Sequence, residues 1–124
     1  MGFFGFGKSK ASTSIDWVNL DSIDLLNELI EGSNTKPVLF LKHSTRCSIS
    51  SMALSRLENY WDIEEDALTP VYLDLIKFRD VSNEISHVLN VMHQSPQILL
   101  VKDGKCIYQA SHNEISVDSI KSKL

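Results

Sequence analysis

Lys36-Pro37-Val38-Leu39-Phe40-Leu41-Lys42-His43-Ser44-Thr45-Arg46-Cys47-Ser48-Ile49-Ser50 changes character part-way along its length. Its first half is a short continuous apolar run, the pattern of a strand buried on both faces, and Pro37 is tolerated at the start of such a strand. From Ser48 onward the apolar residues return at helical spacing: Ile49, Met52, Ala53, Leu54, Leu57 and Tyr60. The junction therefore predicts Cys47 on the first turn of a helix. Unpaired N–H groups and the positive end of the helix dipole favour an anion there. A thiol so placed ionises more readily and becomes a usable nucleophile near neutral pH. Lys42, His43 and Arg46, all within five positions of the thiol, are expected to push the same way.

On the N-terminal side, Ile15 to Leu20 predicts a short edge strand. Asp21 is the expected cap of a helix with Ile23, Leu25, Leu26, Leu29 and Ile30 on its apolar face, closed by Gly32. On the C-terminal side, Trp61 to Leu68 is an acidic connector expected to lie in solvent, and Pro70 to Ile76 is a further strand. Asp80 to Val91 is again helical, with Val81, Ile85, Val88 and Leu89 facing a core. Asp103-Gly104 stands between two β-rich runs, Gln97–Lys102 and Lys105–Ala110, which is the preferred chemistry of a two-residue hairpin turn. A last amphipathic helix is expected from about Ser116 to Leu124.

Two strands joined by a crossover helix imply parallel pairing, and the hairpin adds antiparallel strands. The expected fold is thus α/β: a mixed sheet of four to five strands with helices on both faces, in the thioredoxin-like arrangement. Residues 15–124 would form this domain and residues 1–14 a flexible tail. Gly2 to Ser9 matches the phosphate-loop pattern G-x-x-x-x-G-K-[ST]. That motif needs a strand before it and a helix after it, and the tail has room for neither.

Composition fits one globular domain: 124 residues, 43% hydrophobic and 23% charged. A net charge of −4 without a basic stripe argues against nucleic acid as a partner. Two cysteines and four scattered histidines (His43, His87, His93, His112) assemble no metal-ligand set, so no metal or bound cofactor is expected. The glycine-broken N-terminus is too short for a signal peptide, and no stretch reaches transmembrane length. A cytoplasmic protein without a membrane partner, its thiols kept reduced, is the resulting expectation.

Ser95-Pro96, directly before the hairpin, supplies the second half of the expected site. In thioredoxin-like folds a cis proline here lies against the reactive sulfur, and cis bonds are accessible at X-Pro. The backbone of Ser95 would then face the substrate and pair with it like a short strand. Ser50 stands three residues after Cys47, where a dithiol enzyme carries its resolving thiol, and is placed to bond the Cys47 sulfur. Cys106 lies at the far end of a strand that begins beside Pro96, on the order of 20 Å away. A disulfide needs Cα atoms within about 7 Å, so Cys106 reads as a small buried apolar residue. One thiol can attack a mixed disulfide and retain half of it, but an external thiol must complete the cycle. Arg46 is a candidate for binding an acidic small thiol. His112 is expected to be structural or at the surface.

Lys42 to Ser50, with His93-Gln94-Ser95-Pro96-Gln97 and Ser111-His112, resembles the monothiol bacilliredoxins of the YtxJ type from about Ile15 to the C-terminus. The family patterns are K-H-S-T-x-C-P-I-S and H-x-S-P-Q. The resemblance implies Cys47 as catalytic thiol, with His43, Arg46, Ser48, Ser50, Ser95 and Pro96 around the substrate. It also implies S-bacillithiolated proteins as partners, bacillithiol as thiol co-substrate, and recycling by free bacillithiol or a reductase. The chain departs at Ser48, where the family has proline, a residue suited to the first helical position. Serine there restores a backbone N–H able to face sulfur or substrate. Two rival readings stand beside this one: a non-catalytic thioredoxin-like binding or stress-adaptor module, and an enzyme acting on glutathione or coenzyme A.

Overall fold

The computed structural model describes residues 15–124, so the expected tail and its phosphate-loop pattern lie outside the described residues. Five strands, β1 (Val18–Asn19), β2 (Val38–His43), β3 (Thr69–Asp74), β4 (Gln97–Lys102) and β5 (Lys105–Ser111), form one sheet in the order β1-β3-β2-β4-β5. β1 and β2 run parallel to β3, whereas β4 runs antiparallel to β2 and to β5. The helices are α1 (Ile23–Gly32), α2 (Ser48–Tyr60), α3 (Arg79–Leu89) and α4 (Val117–Lys121), with a 3₁₀ turn at His112–Glu114.

Alternation along β2 divides the core in two. Leu39 and Leu41 pack with Ala53 and Leu57 of α2 and Val117 and Ile120 of α4. Val38 and Phe40 pack with Leu26 of α1 and Val81, Ile85 and Leu89 of α3. The sheet is therefore covered on both faces, and all six residues of β2 are buried. The expected mixed sheet with helices on both faces is the observed one.

Several boundaries differ from the sequence expectation. Ser22, not Asp21, caps α1, its hydroxyl accepting the Leu25 N–H at 3.1 Å. In α2 the buried face is the narrow stripe Ser50, Ala53, Leu57, while Ile49, Met52 and Tyr60 are exposed. Val88 of α3 is likewise exposed, and the helix ends at Asn90, which takes the left-handed conformation without glycine. The acidic connector is not wholly solvated: Leu68 is buried, and Trp61 packs at 6.2 Å from Trp17. The Asp103-Gly104 hairpin forms as expected, both residues having positive φ (54° and 76°), the backbone of a primed two-residue turn.

Candidate functional site

β2 runs into the loop that carries Cys47, and β4 is entered from Ser95–Pro96. Because Lys42 lies opposite Gln97 in the antiparallel β2–β4 pair, both segments leave the sheet at the same end. Cys47 is the N-cap of α2, half-exposed, with extended backbone and no side-chain cap bond. It stands just before the first helical turn rather than within it. The turn leading to it is closed by the Cys47 N–H on Ser44 O at 3.3 Å and the Arg46 N–H on Ser44 Oγ at 3.4 Å. Arg46 and Ser48 flank the thiol and are both exposed. Ser48, at the first helical position, brings the backbone N–H that a proline there would lack.

Two of the expected contacts are corrected. Ser50 does not serve the sulfur; it is 1% exposed, and its hydroxyl accepts the Ser44 N–H at 3.0 Å and pairs with His43 Nδ1 at 2.8 Å. His43 is itself buried and lies against the Tyr72 ring at 5.5 Å. Burial lowers its pKa, against the opposing pull of Asp74 and of the Ser50 backbone, so it is a neutral brace beneath the turn rather than a surface ligand. Ser50→Ala strands the Ser44 N–H and His43 Nδ1 together. The expected cost is about 2 kcal/mol, read as a lower melting temperature with the fold retained.

Lys42 is the second correction. It points to the α1/α3 face, is fully buried, and is not a surface cation near the thiol. Its Nζ reaches Ser82 O at 3.1 Å, Ser86 Oγ at 2.9 Å and His93 Nδ1 at 3.1 Å. An ammonium has three donors and no acceptor, so His93 accepts at Nδ1 and keeps its proton on Nε2. Burial, then Lys42, then Arg79 lower the His93 pKa, in keeping with that neutral form.

His93 begins the segment that leads to the cis Ser95–Pro96 bond, and the side chains of Gln97 and His112 bond the backbone of Met92, Gln94 and Ser95. Buried Gln97 donates to Met92 O at 3.0 Å and to Gln109 Oε1 at 2.9 Å, and accepts the Gln94 N–H at 3.2 Å. His112 Nε2 lies 3.1 Å from Ser95 O, and the His112 N–H donates to Pro96 O at 3.2 Å. His112 is thus exposed but attached to the site, a role its sequence position did not reveal. Cys106 is partly buried at the far end of the hairpin, opposite Val101, where its thiol donates to Tyr108 O at 3.4 Å. Burial raises its pKa, and the Tyr108 bond only partly offsets this. No cluster of potential metal ligands occurs among the described residues.

A family model described as monothiol bacilliredoxin BrxC matches residues 18–120. The chain belongs to the monothiol bacilliredoxin family. Among solved structures, one described as an oxidoreductase with a thioredoxin fold is 32% identical to this bacilliredoxin. It has a TM-score of 0.73 and an alignment covering 85% of this chain and 90% of the other. A thioredoxin from Nicotiana alata, 18% identical over 94% of both chains with a TM-score of 0.67, shares the fold. So does mitochondrial thioredoxin 3 from Saccharomyces cerevisiae, 16% identical over 91% of this chain and 96% of its own, with a TM-score of 0.64. A 54-residue stretch is 33% identical to the ABC multidrug transporter mdr4 of Aspergillus fumigatus, but spans 44% of this chain and 4% of the transporter. Family and fold together assign this bacilliredoxin to thiol redox chemistry. A cleft of about 490 Å³ among Lys36, Trp61, Glu64 and Pro70 lies at the opposite end of β2 and β3 and contains no thiol. No helix among the described residues is long and apolar enough to cross a membrane.

Proposed function

We propose that this bacilliredoxin is a cytoplasmic monothiol oxidoreductase that removes bacillithiol from protein mixed disulfides through Cys47. The observation that carries this reading is a half-exposed thiol at the N-cap of α2 with Ser50, not a second cysteine, one helical turn on. The Cys47 thiolate attacks the bacillithiol sulfur; the protein–bacillithiol S–S bond breaks, and the protein leaves as a thiolate that takes a proton from water. Cys47 then carries bacillithiol. A second bacillithiol, or a dedicated reductase, attacks the adduct and frees Cys47, the two small thiols leaving as their disulfide in the first case. Exposed Arg46 offers a bidentate partner for the malate carboxylates of bacillithiol. Bound protein is released before recycling, so the expected partners are S-bacillithiolated proteins as a class.

Intact-mass analysis tests this. A bacillithiolated model protein incubated with this chain should lose its modification as Cys47 gains the mass of bacillithiol. Mixed disulfides of glutathione and coenzyme A should react more slowly in parallel. A target that stays modified beside an unmodified Cys47 would return the chain to the adaptor reading, and equal rates with all three thiols would remove the preference for bacillithiol.

A further inference from the structure

Ser95 presents its backbone unequally. Its carbonyl is engaged by His112 Nε2 at 3.1 Å, and because a carbonyl only accepts, that nitrogen carries the hydrogen. The Ser95 N–H has no acceptor among the described residues. The ring is not there by chance rotation. His112 sits at φ 55°, its own N–H is spent on Pro96 O at 3.2 Å, and Arg56 grips the same turn, Nη2 on His112 O at 2.8 Å and Nε on Ile115 O at 3.3 Å. A left-handed histidine tied at both its N–H and its carbonyl returns its side chain onto the neighbouring segment.

A peptide that docks in extended form on a single residue exchanges two bonds with it, one through N–H and one through C=O. At Ser95 the carbonyl already accepts from Nε2 at 3.1 Å, so a partner N–H would have to share that oxygen with the imidazole lying against it. A small thiol needs less: one acceptor for the free Ser95 N–H. We infer that His112 is a positioning residue that closes the Ser95 carbonyl and thereby selects the small-thiol half of a mixed disulfide, rather than the peptide half, for attack by Cys47. This inference rests on the function proposed above and names the device that decides which sulfur is attacked. Either attack balances as thiol–disulfide exchange. One S–S bond forms to Cys47, the original one breaks, and the unselected half leaves as a thiolate.

The test is a mixed disulfide of bacillithiol with a short extended peptide, reacted once with the full chain and quenched. Intact mass then reports which half Cys47 retains. Wild type should retain bacillithiol almost entirely. His112→Gly and His112→Ala open the carbonyl and should move the ratio toward the peptide by about fivefold to tenfold, the factor that one neutral hydrogen bond supplies. Glycine carries no penalty at φ 55°, so it keeps the test valid if the alanine variant folds poorly. His112→Gln, with an N–H donor of similar reach, should restore the wild-type ratio, which a merely structural histidine would not require. An unchanged ratio in both opened variants overturns the inference while the adduct itself still supports the proposed function. No adduct in any protein, wild type included, overturns both.

Discussion

Cys47→Ser should abolish release of bacillithiol from a modified protein, with no slow residual phase. Disulfide exchange needs a thiolate, and a serine hydroxyl neither ionises at neutral pH nor forms a stable bond to the attacked sulfur. Cys106→Ser should leave the rate unchanged. Its thiol is partly buried, bonded to Tyr108 O, and pushed by burial toward the neutral form, at the far end of the hairpin from Cys47. The pair of variants therefore separates a monothiol mechanism from one that hides its resolving thiol elsewhere in the chain. A further outcome follows from having one thiol at the site. Without free bacillithiol or a reductase, wild type should stop after one equivalent of target is released, and added thiol should restart it. A Cys47→Ser protein that still turns over, or a wild type that cycles unaided, would place the chemistry at another group. Release of the modified target is followed best by intact mass of both proteins in one sample.

The fold was legible because each element repeats one signal several times. The apolar run of β2, the Asp103-Gly104 turn and the i, i+3, i+4 spacing of α3 each depend on several residues agreeing. Cap choice was not legible, since Asp21 and Ser22 are both good caps and one position apart, and the hydroxyl that meets the Leu25 N–H wins. Two polar roles could have been found. Ser50 shares the helical stripe of Ala53 and Leu57, so its hydroxyl had to find an internal partner. Lys42 follows Val38 and Phe40 on one face of a strand whose two faces are both apolar, so alternation already placed it inside. What alternation does not name is the partner. Ser82, Ser86 and His93 stand 40 to 51 residues further on, and His112 meets Ser95 across 17. Such pairings follow from sheet order and hairpin register, which single-residue patterns do not encode. The departure at Ser48 has a different character: it lies exposed beside Cys47, and its consequence is one backbone N–H more than the family pattern provides.

Lys42→Met should remove most of the upward slope in stability that wild type shows above pH 8. The wild-type ammonium is fully buried and held by three neutral acceptors, and the ion pair found among the described residues involves other groups, Lys121 and Asp62. Burial lowers the Lys42 pKa from 10.5 to about 8. Between those two values the unfolded chain binds a proton that the native chain has released. Native stability therefore rises with pH across that window, and the burial penalty is fully present below about 8. The swing between pH 7 and pH 10 is on the order of 2–3 kcal/mol. Methionine keeps most of the stem packing and has nothing to titrate. Other lysines and tyrosines ionise over the same range in both proteins, so the comparison is the wild-type minus variant difference in denaturant unfolding at pH 7 and pH 10. That difference should grow in favour of wild type; parallel curves would mean that Lys42 is solvated in solution. The same substitution frees His93 Nδ1 and removes the stronger of the two cations that oppose its protonation, Arg79 remaining. The His93 ring should titrate higher in Lys42→Met than in wild type by NMR, and amide exchange should quicken from Met92 to Ser95, because one of the side chains holding the entry to β4 has been withdrawn.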